Sequence, residues 1–144
     1  MNKPLGAAMI VLAAVLAIAP VFSDCQSQGK SLTLQNGNTV PMKCHWAGLA
    51  EIGVAIPLGV SGILALRKQR KENLRTLAII GGVSGILAIL FPTFIIGVCA
   101  NSTMNCRVIM LPTLVAAGTL ATLASVVLFI TAREQPLPIA GAAA

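Results

Sequence analysis

The sequence predicts an all-α membrane protein whose four transmembrane helices form two antiparallel hairpins. Of its 144 residues, 56% are hydrophobic and 10% are charged, whereas a soluble domain carries roughly 25% charged residues. Four apolar runs reach the roughly 18 residues that a spanning helix needs. None of them has the alternating polarity of a spanning strand. We therefore expect a single domain, residues 1–144, with helices at 4–22, 46–66, 76–98 and 108–131 and outer loops at 23–45 and 99–107.

The distribution of basic residues predicts that both termini are cytoplasmic and that the two longer loops lie outside. Cytoplasmic loops carry the excess of Lys and Arg, and seven of the ten fall on one predicted side against three on the other. This topology accounts for the net charge of +6. A nucleic-acid role would need a basic face on a soluble module, so we exclude that class. The seven are Lys3, Arg67, Lys68, Arg70, Lys71, Arg75 and Arg133, and the three are Lys30, Lys43 and Arg107.

The first helix resembles a secretory signal, because Lys3 precedes an apolar core and Val21-Phe22-Ser23 could serve as a cleavage site. Its length favours a retained membrane helix. In the loop that follows, Ser31–Gln35 alternates between apolar and polar residues before the turn signal Asn36-Gly37. This pattern predicts a short β-hairpin.

Helices two and three share a repeated segment, Gly-Val-Ser-Gly-Ile-Leu-Ala, at residues 59–65 and 82–88. Small residues let membrane helices approach closely, so the repeat predicts tight helix packing. A weaker repeat relates the two halves of the chain, each of which reads helix, outer-end Pro, Cys, loop, Met-x-Cys, helix. Its members are Pro20, Cys25, Met42 and Cys44 in the first half, and Pro92, Cys99, Met104 and Cys106 in the second.

All four cysteines fall in the predicted outer loops, which predicts two disulfides in an oxidising exterior. Pairing within loops, Cys25–Cys44 with Cys99–Cys106, requires no folding of one loop onto the other, whereas a cross-loop pairing would connect the hairpins. The layout is also similar to that of the DsbB-type disulfide generators and the vitamin K epoxide reductases. Those families carry a Cys-x-x-Cys pair, but the spacings here are Cys-x18-Cys and Cys-x6-Cys. Thiol–disulfide oxidoreductase is therefore our third hypothesis.

Metal binding is the second hypothesis. Met42, His45 and Met104 join the cysteines in a set of soft ligands that suits Cu(I) or haem iron. His45 is the only histidine in the chain and lies at the predicted membrane edge. The cofactor is therefore unknown from sequence, with haem or copper as the candidates.

The first hypothesis is a ligand- or partner-binding site at the outer mouth of the bundle, formed by His45, Trp46, Glu51 and Arg107. Glu51 lies about five residues inside the second predicted helix, and buried ionisable groups in membranes usually face a partner or a polar cavity. We expect Arg107 to pair with it, and Lys43 is the second choice. Trp46 also suits an interfacial aromatic belt. No residue is predicted to be catalytic, and an enzyme is the less favoured class.

The motif Met-Lys-Cys-His-Trp at residues 42–46, followed by Ala-Glu-Ile-Gly at 50–53, resembles a family of small bacterial four-helix membrane proteins of unknown function. Cys99, Met104-Asn105-Cys106 and Leu111-Pro112 are similar to the second hairpin of that family. The resemblance implies a bacterial inner-membrane location and an accessory role beside an ABC-type transporter, without an enzyme activity. Gly- and Ala-rich helices could also pair with copies of the same chain.

Overall fold

A computed structural model describes residues 2–67 and 71–132, and it forms a four-helix bundle. Four helices are long and apolar enough to cross a membrane, which confirms the predicted helix number. Lys68, Arg70 and Arg133, which enter the prediction of sidedness, lie outside the described residues. The helices are α1 (Asn2–Ser23), α2 (Lys43–Arg67), α3 (Lys71–Leu90) and α4 (Leu111–Thr131), with π-helical turns at Phe91–Ile95 and Cys106–Met110 and short strands β1 (Leu32–Thr33) and β2 (Thr39–Val40).

Each helix packs most extensively against the next helix of its own hairpin, α1 against α2 and α3 against α4. Smaller contacts of α2 with α3 and of α1 with α4 close the bundle. Large apolar side chains also cover the outside, and Phe94 is 83% exposed. A surface of this kind suits lipid, which solvates apolar side chains on the outside of a bundle. The fully buried large apolar side chains are Met9, Leu16, Leu58, Leu74, Met110, Leu114 and Leu128.

The repeated Gly-rich segments of α2 and α3 do not pack primarily against each other. A Cβ added to Gly62 of α2 would lie 2.9 Å from the carbonyl oxygen of Gly6 in α1. A Cβ added to Gly85 of α3 would lie 2.9 Å from the carbonyl oxygen of Gly118 in α4. The second glycine of each repeat therefore sits at the close approach inside one hairpin, as expected for small residues between membrane helices.

The helix boundaries differ from the predicted ones at the end of the bundle that carries the cysteines. The second helix begins at Lys43 rather than at residue 46, so Cys44 and His45 are helical. The third helical segment ends at Ile95 rather than at residue 98, and Gly97 follows with a φ of +75°. Apolar runs reveal the segment that lies in lipid, but a helix can continue for a polar turn beyond it. This is why Cys44 and Cys106 lie on helices and not in loops.

The loop between α1 and α2 contains the predicted β-hairpin. Leu32 pairs with Val40 and Thr33 pairs with Thr39 in antiparallel register. Gly37 adopts a φ of +81° at the turn, a conformation that glycine reaches without steric cost. The hairpin prediction is confirmed, although the four strand residues are all exposed.

Candidate metal centre at the outer end of the bundle

The four cysteines converge on one point at the end of the bundle that carries the loop between α1 and α2, which the sequence predicts to be the outer end. Their Sγ atoms all lie within 4.8 Å of one another. The Sγ atom of Cys25 lies 3.3 Å from that of Cys106 and 3.5 Å from that of Cys99, which in turn lies 3.6 Å from the Sγ atom of Cys44. Each half of the chain contributes two sulfurs. We call these four side chains the sulfur cluster.

Four different backbone segments bring the sulfur cluster together. Cys25 follows α1, where the Asp24 amide still donates to the Pro20 carbonyl and the Lys30 amide donates to the Cys25 carbonyl. Cys44 is in the first turn of α2 and Cys106 begins the π-helical turn before α4. Cys99 lies in the loop that follows the third helical segment. The cluster therefore depends on the docking of the two hairpins and not on any local motif.

The sulfur cluster is shielded from solvent. Cys25, Cys44 and Cys106 are buried, and Cys99 is half-buried. Burial raises the pKa of the Cys25 thiol above its ordinary value, and hydrogen bonds with the thiols of Cys44, Cys106 and Cys99 add to that effect. A proton on Cys25 must therefore be displaced when a cation binds, because metals are ligated by thiolates.

His45 is held by a carboxylate at the rim of the cluster. Its Nδ1 lies 2.9 Å from Oδ2 of Asp24, so Nδ1 carries the proton that it donates to the carboxylate. Partial burial opposes the ionisation of Asp24, but hydrogen bonds from His45 and Ser27 outweigh it and hold the pKa of Asp24 below its ordinary value. His45 follows Cys44 and Asp24 precedes Cys25, so this pair fastens the loop to α2 beside two cluster sulfurs.

The metal ligands predicted from sequence, Met42, His45 and Met104, remain a prediction. The thioether sulfur of Met42 lies 3.9 Å from Sγ of Cys99, at the edge of the sulfur cluster. Met104 is partly buried and packs against the core. Among the described residues, the group whose ligand atoms come together is the four cysteines, without His45.

The four residues of the predicted ligand site, His45, Trp46, Glu51 and Arg107, differ widely in exposure. Trp46 is 56% exposed and meets the His45 ring edge-on at 6.0 Å between centroids, as suits an interfacial aromatic residue. Arg107 is exposed and Glu51 is fully buried. Neither carboxylate oxygen of Glu51 has a hydrogen-bond partner among the described residues. The expected ion pair with Arg107 or Lys43 is therefore wrong, because Glu51 lies eight residues inside the longer α2, too deep for either side chain.

The cysteines are free thiols in the structure, and the predicted disulfides remain predictions. The distances give no preference to pairing within a loop, because the shortest approach, Cys25 to Cys106, joins the two hairpins. Sequence reasoning weighed the cysteines as pairs and missed their convergence as a set of four. The repeat of Cys and Met-x-Cys in both halves was the available signal. Asp24 was missed entirely, although it directly precedes a cysteine.

The spacing of the four sulfurs matches a single tetrahedral metal ion. Four thiolates at a Zn–S distance of about 2.3 Å are separated by about 3.8 Å along each tetrahedral edge. Three of the six observed separations, 3.3, 3.5 and 3.6 Å, are slightly shorter than that value, and all six are at most 4.8 Å. A multi-iron cluster would hold its cysteine sulfurs farther apart. The arrangement can therefore hold one thiophilic ion with small adjustments of the side chains.

Comparison with known proteins identifies the family of this chain. No curated protein and no solved structure matches it. One family, described as Domain of unknown function (DUF4418), matches residues 6–131. The matched range includes all four cysteines and all four helices, except for the first residues of α1. Because this match covers most of the sequence, the chain belongs to the DUF4418 family.

Proposed function

We propose that this protein binds one zinc-class metal ion through Cys25, Cys44, Cys99 and Cys106 at the outer end of a membrane-embedded bundle. The observation that carries the proposal is the mutual approach of four Sγ atoms within 4.8 Å. Tetrahedral four-thiolate sites are typical of zinc, or of iron bound through sulfur. Four protein ligands also close the coordination shell, which is typical of structural and not catalytic zinc.

The electrostatic surroundings support a site for thiolates. Cys44 and Cys106 lie at the starts of helical segments, where the positive end of the helix dipole stabilises negative charge. A divalent ion with four thiolates carries a net charge of −2. Lys43 and Arg107 each adjoin a cluster cysteine in sequence and are exposed, so they can offset part of that charge.

The test is metal analysis of the full chain, purified in mild detergent under reducing conditions. We expect about one zinc per chain in the wild-type protein and a loss of at least tenfold in Cys44→Ser. Replacement of zinc by Co²⁺ should give the intense visible absorption of tetrahedral cobalt bound by thiolates. That spectrum should weaken and shift in the same variant.

Met104→Leu is the matched control, because it removes a neighbouring sulfur that is not in the cluster and leaves the helix starts unchanged. It should keep the wild-type metal content. A wild-type protein that takes up no zinc or cobalt after full reduction would overturn the proposal. So would a Cys44→Ser variant that binds the ion as tightly as the wild type. An iron or haem spectrum lost in His45→Ala would favour the Met42, His45 and Met104 set instead.

Thiol–disulfide exchange is the second candidate, and the observation that favours it is that Cys99 is only half-buried while the other three cysteines are buried. A thiolate of Cys99 could attack a disulfide of a partner protein and form a mixed disulfide. The thiol of Cys25 or Cys44, at 3.5 and 3.6 Å, would then displace the partner. The partner leaves as a dithiol that has taken up both electrons and two protons, and this chain keeps a disulfide. A metal-free protein whose Cys99 exchanges with oxidised thioredoxin would support this alternative.

An accessory role beside an ABC-type transporter in a bacterial inner membrane is a further proposal, and its support is the family resemblance. Exposed apolar side chains on all four helices leave room for a membrane partner or a second copy. Affinity purification from native membranes is the test. Recovery of a transporter subunit at a fixed ratio would support the role, and recovery of the chain alone would contradict it.

A further inference from the structure

Glu51 is a buried ionisable residue that does not belong to the sulfur cluster. Its exposed fraction is 0%, and both carboxylate oxygens lack a hydrogen-bond partner among the described residues. Burying a carboxylate without a counter-charge is energetically unfavourable. Groups of this kind within membrane spans usually face a polar or functional feature of the interior. The Glu51 side chain therefore offers two oxygen acceptors in the interior that no described residue uses.

Glu51 lies on the same face of α2 as the sulfur cluster but deeper in the bundle. Cys44, Gly48 and Glu51 are all buried and follow each other at the spacing of successive helical turns. Glu51 is seven residues below Cys44, about 10 Å along the helix. The symmetry between the two halves of the chain breaks here. Thr113, seven residues after Cys106, is half-buried and donates its hydroxyl to the Ile109 carbonyl.

The close contacts between α1 and α2 define what lies opposite Glu51. A Cβ on Gly48 would lie 2.9 Å from Cβ of Pro20, and one on Gly59 would lie 3.4 Å from Cβ of Ala13. The helices run antiparallel, so these contacts place Glu51 level with residues 16–20. Pro20 has no N–H, and the Leu16 carbonyl therefore loses its α-helical donor. Both Leu16 and Pro20 are fully buried, so this carbonyl oxygen lies in the interior at the level of Glu51.

We propose that the Glu51 carboxylate and the Leu16 carbonyl form an inner site for one monovalent alkali cation, with Na⁺ as the physiological ion. Oxygen ligands favour hard cations, whereas the sulfur cluster favours soft ones. A single positive charge neutralises a single carboxylate, and among the described residues no basic side chain forms an ion pair with Glu51. Carbonyls freed at helix irregularities coordinate Na⁺ together with acidic groups in other membrane proteins.

The test measures ²²Na⁺ bound to the full chain in detergent, with choline chloride keeping the ionic strength constant. The wild type should bind about one Na⁺ per chain, and Glu51→Gln should lose that binding at least tenfold. Glu72→Gln is the matched control, because it removes an exposed carboxylate at the other end of the bundle. It should bind Na⁺ like the wild type.

A second measurement, the effect of Na⁺ on the Tm of the wild type, can be made without relying on a variant that folds. Replacing choline by Na⁺ should raise the Tm of the wild type by a few degrees, because a ligand that binds the folded state stabilises it. The Tm of Glu51→Gln should not respond to Na⁺, and this variant should retain zinc. The proposals for the inner site and for the metal centre are therefore tested independently. No Na⁺ binding by the wild type, or an equal rise of Tm in Glu51→Gln, would overturn the proposal.

Discussion

The residues around the sulfur cluster divide into those that supply sulfur and those that hold the backbone in place. His45 belongs to the second group, because its Nδ1 is occupied by Asp24 at 2.9 Å and its side chain is not part of the converging set. Asp24 also accepts from the Ser27 amide at 2.7 Å. This one carboxylate therefore fixes the path of the chain on both sides of Cys25.

We predict that His45→Ala keeps about one zinc per chain but lowers the free energy of unfolding by about 1.5–3 kcal/mol, the range for hydrogen bonds to charged groups. The reason is that Asp24 loses its donor while the four sulfurs remain. Metal analysis and thermal unfolding in detergent measure the two effects. His45→Gln, whose amide can still donate to Asp24, should recover part of the stability. A loss of zinc equal to that in Cys44→Ser would instead make His45 a ligand.

At the scale of the helices, the hairpins depend on glycines at specific positions and not on small residues in general. Gly85 and Gly82 belong to the same repeat, yet their surroundings differ. A Cβ on Gly85 would lie 2.8 Å from the Thr122 amide nitrogen and 2.9 Å from the Gly118 carbonyl oxygen. A Cβ on Gly82 would come no closer than 3.7 Å, to Cβ of Ser125.

We expect Gly85→Ala to destabilise the bundle by about 1–3 kcal/mol, because backbone atoms of α4 would have to move to admit the methyl group. Gly82→Ala should be neutral or should stabilise it by up to about 1 kcal/mol, since alanine is the better helix former. Unfolding by increasing SDS in mixed micelles measures both variants. Equal destabilisation by the two substitutions would show that α3 and α4 approach differently.

The helices could be predicted from sequence, and the site they form could not. Apolar runs reported the spans because each helix must satisfy its backbone polar groups within the membrane. The first turns of α2 and of the Cys106 segment are polar, so the apolar pattern predicts loops there. The convergence of four thiols depends on how two hairpins dock, which no local pattern records. The sequence correctly predicts that Glu51 is buried, but it wrongly predicts an ion pair with Arg107 or Lys43. The depth of Glu51 depends on where α2 begins, and α2 begins earlier than the apolar run.

At the scale of the whole molecule, the chain has two chemically different levels on one axis. The outer level is a sulfur cluster to which each hairpin contributes two thiols, and the inner level is a single carboxylate from α2 alone. A metal ion at the outer level would join the hairpins where their mutual contacts are smaller than those within each hairpin. Which side of the membrane carries the cluster therefore determines the solution from which the protein can take metal.

The excess of Lys and Arg at the opposite end predicts that the cluster faces the exterior. We expect Lys30→Cys, in the exposed outer loop, to react with a membrane-impermeant maleimide in intact cells. Glu72→Cys, exposed at the start of α3, should react only after the cells are permeabilised. The wild type corrects for labelling of half-buried Cys99. Labelling of Glu72→Cys in intact cells would show that the orientation is the opposite one. The sulfur cluster would then face the reducing cytoplasm. The four cysteines would then remain thiols without a metal, because disulfides are rare in that compartment.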